Sequence, residues 1–126
     1  LTPDTAQREV IASLTTRNLI FTNADSSHAE RVLTQLNLRD LFPVIVDVNT
    51  VTPYCKPMPE SFEIAMKLAG ESDPSRCIMI DDLTRTTRAA KEAGMSSILF
   101  GGTAASEDAN ASLSDWNELT NILERL

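Results

Sequence analysis

Two carboxylates stand side by side at the end of the apolar run Cys77-Ile78-Met79-Ile80-Asp81-Asp82. A short apolar run fed by a loop and followed by an Ala-rich helical pattern reads as a strand buried on both faces. The acids then stand at the carboxyl end of that strand, where open α/β sheets place their ligand crevices. Adjacent like charges there are unfavourable unless a metal ion or a cationic side chain joins them. Mg²⁺ suits carboxylate oxygens and often links them to a phosphate. The plainer reading of Asp81-Asp82 is a solvated turn or helix N-terminus, and the apolar strand in front favours a site.

Two further polar groups fall at predicted strand ends, Thr22-Asn23 and Lys56. Separately, Thr22 could cap the following helix and Lys56 could be a solvated loop lysine. Together with the acid pair they make a phosphate site. A hydroxyl and backbone N–H groups at a helix N-terminus bind phosphate oxygens. A lysine on a Pro-stiffened loop supplies fixed positive charge, and the carboxylates hold Mg²⁺ against the charge that remains.

The elements that must position these residues follow from periodicity. Thr2-Pro3 can open a helix with the stripe Ala6, Val10, Ile11 and Leu14. Residues 18–21 read as a strand ending at Thr22-Asn23. Ser27 and Glu30 have capping-box spacing for a helix that buries Ala29, Val32, Leu33 and Leu36. Residues 43–48 are β-branched and strand-like, and 50–57 is a Pro-interrupted loop. Lys56 precedes Pro57, which favours an extended backbone. Pro59 opens a helix with Phe62, Ala65, Met66 and Ala69 inward and Gly70 as its stop. After the strand at 77–82 comes a helix over 84–93 closed by Gly94, then a strand over 97–100 ending at Gly101-Gly102. Residues 103–113 are small and polar, hence loop, and Ser114 caps a last helix with the stripe Trp116, Leu119, Ile122, Leu123 and Leu126. Such alternation means an α/β fold, a parallel sheet with helices on both faces.

Composition narrows the partners. The chain has 126 residues, 42% hydrophobic and 23% charged, the balance of one small domain with a real core. Its 18 acids against 11 bases give a net charge of −7 without a basic cluster. That argues against a nucleic-acid polymer or an anionic membrane as partner, but leaves room for a small phosphorylated metabolite that brings its own metal. Cys55 and Cys77 form no disulfide framework or zinc pattern, and no signal peptide or membrane span is recognisable. A cytoplasmic (or nuclear) location is the expectation. Leu1 in place of Met suggests a sequence that begins partway into a longer one.

Phe21-Thr22-Asn23, Cys55-Lys56-Pro57-Met58-Pro59 and Ile80-Asp81-Asp82 resemble, in order and spacing, the second, third and fourth motifs of the haloacid-dehalogenase-like (HAD) hydrolase superfamily. Phe21-Thr22-Asn23-Ala24-Asp25 with His28-Ala29, followed by Leu41-Phe42, is similar to pyrimidine 5′-nucleotidase-type phosphatases. The resemblance spans roughly Thr2 to Phe100. It implies a Rossmann-like core and a phosphomonoesterase that works through an aspartyl-phosphate and Mg²⁺ on a nucleoside monophosphate. Thr22 and Asn23 would bind the phosphoryl group, Lys56 would stabilise its oxygens and the nucleophile, and Asp81 and Asp82 would hold the metal. His28 matches a subfamily position without an arguable catalytic role.

Three departures qualify the resemblance. Where the family often has a Ser and an Asn ordering the metal loop, this chain has Leu83 and Thr86. The family's Asp-x-Asp nucleophile strand and the cap that follows it should precede Thr22, and the 21 residues there read as one helix and the strand itself. Residues 1–126 are therefore expected to form a single core domain without its first strand and without a nucleophile. The sheet would have a central gap or close it by pairing the strands that end at Asn23 and Asp82, and an exposed central edge invites self-association. Finally, Val46-Asp47-Val48-Asn49-Thr50 imitates a nucleophile motif, but it follows the Thr22 motif and carries Asn49 in place of the second acid. Asp47 is better explained by an edge strand of the same fold.

Two other classes compete with the phosphatase. One is a non-catalytic module that binds Mg²⁺, phosphate or a protein partner, distinguished by whether an Asp-x-Asp strand precedes Leu1. The other is a receiver domain, which the order Thr22, Lys56, Asp81-Asp82 argues against, because receivers put the acid pair first.

Overall fold

The computed structural model describes residues 1–126. Helix α1 (Thr5–Ser13) leads to β1 (Leu19–Phe21), α2 (Ser26–Gln35), β2 (Val44–Val46) and the one-turn α3 (Val48–Val51). Then follow α4 (Pro59–Ala69), β3 (Ile78–Asp81), α5 (Thr84–Glu92), β4 (Ser96–Phe100), β5 (Ala111–Leu113) and α6 (Leu119–Glu124). Every strand pairing is parallel, including that of β4 with β5, which a loop joins without a helix. No helix is long and apolar enough to cross a membrane.

The strands form two separate sheets. β1 pairs with β2, Ile20 opposite Ile45, and β3-β4-β5 form the other, with Ile80 opposite Ile98 and Phe100 opposite Leu113. β1 and β3 do not pair, so of the two expected outcomes the open one holds. The Thr22 N–H donates to Val46 O, so by alternation Leu19 and Phe21 turn their backbone groups away from β2. The Ser96 N–H donates to Cys77 O, and Ile78 and Ile80 likewise turn theirs away from β4. The slot between β1 and β3 is thus edged by unpaired peptide groups. The expectation that β3 is buried on both faces is corrected accordingly: Ile78 is 41% exposed, because nothing lies against that end of the strand.

Side-chain packing, not sheet hydrogen bonding, joins the halves. On one face Ile11 of α1 packs with Leu33, Leu38, Ile20 and Ile45, while Val10 and Leu14 of the same helix pack on Ile98, Leu113, Leu119 and Ile122. On the other face, Phe62 of α4, Ala90 and Met95 gather Phe21 from β1 and Met79 from β3. Phe62 and Phe21 meet edge to face, ring centroids 6.0 Å apart. The period of two along β1 and β3 sends successive residues to these opposite faces.

Several expected boundaries move. The cap of α1 is Asp4, accepting from the Gln7 N–H, and that of α2 is Asp25, accepting from the His28 N–H at 2.8 Å. Ser27 and Glu30 do not form the capping box, because the helix starts earlier, at Ser26, with Asp25 as its cap. The strand expected over 43–48 ends at Val46, and Asp47 caps α3, which runs from the expected strand into the expected loop. The expected loop 103–113 ends in β5, and Asp115 rather than Ser114 caps the 3-10 turn that leads into α6. Gly70 ends α4 with φ +75, the left-handed conformation its lack of Cβ permits.

Candidate active site

The carboxyl ends of β1 and β3 meet through Lys56. Its Nζ donates to Phe21 O at 2.9 Å and to Asp81 Oδ2 at 2.8 Å, and lies 5.2 Å from the centre of the Phe21 ring. The two charged side chains are 11% and 8% exposed. The cation required beside the acid pair is therefore supplied by the chain itself. It also satisfies a carbonyl on the open edge of β1. An ammonium has three N–H donors, and these contacts use two, leaving one for an anionic ligand.

The loop that carries Lys56 is fixed at its backbone too. The Lys56 N–H donates to Asn23 Oδ1 at 3.1 Å, and Asn23 Nδ2 donates to Lys56 O at 3.2 Å. Pro57 follows across a cis peptide bond. Between Phe21 and Asn23, the Thr22 hydroxyl accepts from the Ala24 N–H at 3.0 Å, which leaves its own proton free to donate.

Asp81 accepts from the Leu83 N–H through Oδ1 at 3.0 Å, so both of its oxygens are engaged. Burial pushes its carboxyl pKa up, but Lys56, the Leu83 N–H and the neighbouring Asp82 outweigh burial and hold it below the ordinary value. Asp82 is exposed. Thr22, Asn23, Lys56, Asp81 and Asp82 thus gather at one end of the molecule; His28 lies exposed on α2.

The donor chemistry suits a hard cation in a limited way. No three His, Cys, Asp or Glu side chains converge anywhere in the chain. A cation at Asp81 and Asp82 would draw its other oxygens from water and ligand, which is how Mg²⁺ is commonly held. The residues fit Mg²⁺ better than a soft or fully protein-caged metal. Leu83 and Thr86, the departures from the family pattern, offer no metal ligand: Leu83 is an exposed hydrocarbon side chain and Thr86 is buried in the first turn of α5.

Asp47 is not part of this cluster. It is 6% exposed, and Oδ1 accepts from the Thr50 N–H at 2.9 Å and the Thr50 hydroxyl at 2.7 Å. Its Oδ2 accepts from the Ser26 N–H at 2.9 Å. One carboxylate therefore caps α3 and reaches the first turn of α2. These bonds, the Thr50 hydroxyl foremost, hold its pKa at about 2. A carboxylate with both oxygens held by fixed donors is a structural cap, not a free nucleophile.

Sequence reasoning missed the clasp between Asn23 and Lys56. The two residues lie 33 positions apart on irregular loops, where no periodicity signals a contact.

Comparison with known proteins identifies the family and the fold. The family model for haloacid dehalogenase-like hydrolases matches residues 2–94. The chain is similar to a conserved haloacid dehalogenase-like protein of unknown function from Agrobacterium tumefaciens (24% identity, TM-score 0.79), over 93% of this chain and 58% of that one. It is also similar to a β-phosphoglucomutase from Clostridium difficile (26% identity, TM-score 0.74), over 99% and 56%. A third likeness is to a HAD-hydrolase of Bacillus subtilis bound to magnesium (20% identity, TM-score 0.79), over 91% and 53%. The chain spans a little over half the length of each. With α/β architecture, the three motif positions gathered at one end and a family match over most of its residues, the chain belongs to the haloacid dehalogenase-like hydrolase family.

Proposed function

We propose that this chain forms the phosphate- and metal-binding part of a Mg²⁺-dependent phosphomonoesterase acting on a nucleoside monophosphate. The observation that carries the reading is the buried Lys56–Asp81 pair between the ends of β1 and β3, with the Thr22 hydroxyl free to donate beside it. Lys56 would give its remaining proton to a phosphoryl oxygen and Thr22 would donate to a second. The Asn23 N–H, which has no acceptor in the chain, would serve a third. Fixed donors of this kind stabilise charge that develops during phosphoryl transfer without reorganising. A Mg²⁺ held by Asp81 and Asp82 would polarise the phosphoryl group and offset its negative charge.

The acceptor of the phosphoryl group would be a carboxylate on a strand seated in the slot between β1 and β3, a segment that lies outside residues 1–126. The unpaired edges of the slot, and a chain that covers a little over half of its relatives, support this. The nucleotide preference rests on the likeness of residues 21–29 to pyrimidine 5′-nucleotidase-type phosphatases.

The test is phosphate release by the complete protein with Mg²⁺ and UMP, CMP, phosphoglycolate or glucose 1-phosphate. Turnover of UMP and CMP above the others is expected, and none from residues 1–126 alone. Preference for a sugar phosphate would overturn the nucleotide assignment. Inactivity of the complete protein on all four, with phosphate still bound, would favour a non-catalytic module. Turnover by residues 1–126 that is lost in Asp47→Asn would move the nucleophile to Asp47.

A further inference from the structure

We propose that Asn23 is a positioning residue: its side-chain amide clasps the Lys56 backbone and so fixes where the Lys56 ammonium stands. The family resemblance implies a phosphate contact for Asn23, but both ends of its carboxamide are already engaged. Oδ1 takes the Lys56 N–H at 3.1 Å, and Nδ2 gives to Lys56 O at 3.2 Å. The pairing is reciprocal, so it constrains distance and rotation of the peptide together, as a single hydrogen bond does not.

The clasp closes a short mechanical loop. Asn23 lies two residues beyond Phe21, whose carbonyl accepts from Lys56 Nζ and whose ring underlies the ammonium. Lys56 is thus tied to the end of β1 at its backbone through Asn23 and at its tip through Phe21. From that double anchorage it reaches across the slot to Asp81 on β3. Residues 52–58 contain no regular structure and three prolines interrupt 53–59, so few other backbone bonds hold this loop: Met58 N–H to Cys55 O is one. Without Asn23 the loop keeps its composition but loses its register against β1. The ammonium then samples positions away from Phe21 and Asp81. The catalytic meaning of this role rests on the phosphatase reading; the clasp itself does not.

The test uses Asn23→Ala and Asn23→Asp, with amide hydrogen exchange and mass-spectrometric labelling of lysines by an acylating reagent. Lys56, Lys67 and Lys91 are the only lysines, so the last two serve as internal references. In the wild-type chain Lys56 should label more slowly than Lys67, whose residue is exposed. In Asn23→Ala, exchange of the Lys56 N–H should rise by about tenfold, the scale of one or two lost hydrogen bonds. Lys56 labelling relative to Lys67 should rise severalfold. In Asn23→Asp the carboxylate still accepts from the Lys56 N–H, so that amide should stay protected. The Thr22 N–H, bonded to Val46 O, should be unchanged in both variants. Unchanged Lys56 labelling in Asn23→Ala would overturn the proposal. So would equal acceleration at Thr22, which would mean general loosening of the β1 end. Neither readout needs metal, phosphate or turnover, so failure here and failure of the phosphatase reading are separable.

Discussion

Replacing Asp47 with Ala removes three hydrogen bonds at a residue only 6% exposed. Two of them satisfy N–H groups in the first turns of different helices, α3 at Thr50 and α2 at Ser26. Loss of an N-cap costs about 1 kcal/mol, with a range of roughly 0.5–2. Two such losses give about 2 kcal/mol, a large share of the stability of a small fold. With a urea m-value of about 1–3 kcal/mol/M, the unfolding midpoint should fall by roughly 1 M. Asp47→Asn should cost about half as much, since its single carbonyl oxygen can serve one helix while its NH₂ faces the donor of the other. The pH dependence follows from the same bonds. The carboxyl lies at about 2 in the folded chain against 3.8 ordinarily, so its stabilisation is complete above pH 3.8 and is lost as pH falls toward 2. Asp47→Asn should flatten that part of the stability profile. A change below about 0.5 kcal/mol in Asp47→Ala would refute the capping role and reopen Asp47 as a reactive group.

Further substitutions probe other parts of the fold and site. Ser97, fully buried on β4, has a hydroxyl without a hydrogen-bond partner, so Ser97→Ala should stabilise by up to about 1 kcal/mol in urea unfolding. Phe62→Ala should cost about 3–5 kcal/mol, because this ring joins the two sheets through Phe21 and Met79; thermal unfolding would show it. Lys56→Met should destabilise by about 2–4 kcal/mol and raise the Asp81 carboxyl, whose low value depends on the ammonium. The stability lost would be largest above the ordinary carboxylate range, where Asp81 is charged, and would shrink as the pH falls.

How far the sequence carried differed from element to element. The β–α alternation and the strand that ends at Asp81 were readable because runs such as Cys77–Ile80 and Ser97–Phe100 combine apolar character with flanking turn residues. The gathering of Thr22, Lys56 and Asp81 at one end was readable because Thr22 and Asp81 stand at strand ends and Lys56 on a Pro-fixed loop, and parallel strands bring their carboxyl ends to one side. β5 was hidden because Ala111-Ser112-Leu113 is short and carries a polar residue at its centre; it becomes a strand through pairing with Ile98–Phe100, a tertiary cause. The one-turn α3 was hidden because Val44 to Val48 looks like a continuous β-branched run, and only the Asp47–Thr50 capping box breaks it. A cap and a nucleophile are both an Asp after an apolar strand, and only the donors held by both Asp47 oxygens decide between them. Ile78 was misjudged because its exposure depends on what stands beside β3, which local composition does not encode.

The central claim is that Thr22, Lys56, Asp81 and Asp82 bind a phosphate group together with Mg²⁺. The most direct measurement is a titration of backbone amide shifts in the ¹⁵N-labelled chain with inorganic phosphate, with and without Mg²⁺. Saturable changes centred on Thr22, Asn23, Lys56 and Asp81 to Leu83 are expected, strengthened by Mg²⁺ and abolished in Lys56→Met. Changes centred elsewhere, or none at these residues at saturating Mg²⁺ and phosphate, would contradict it.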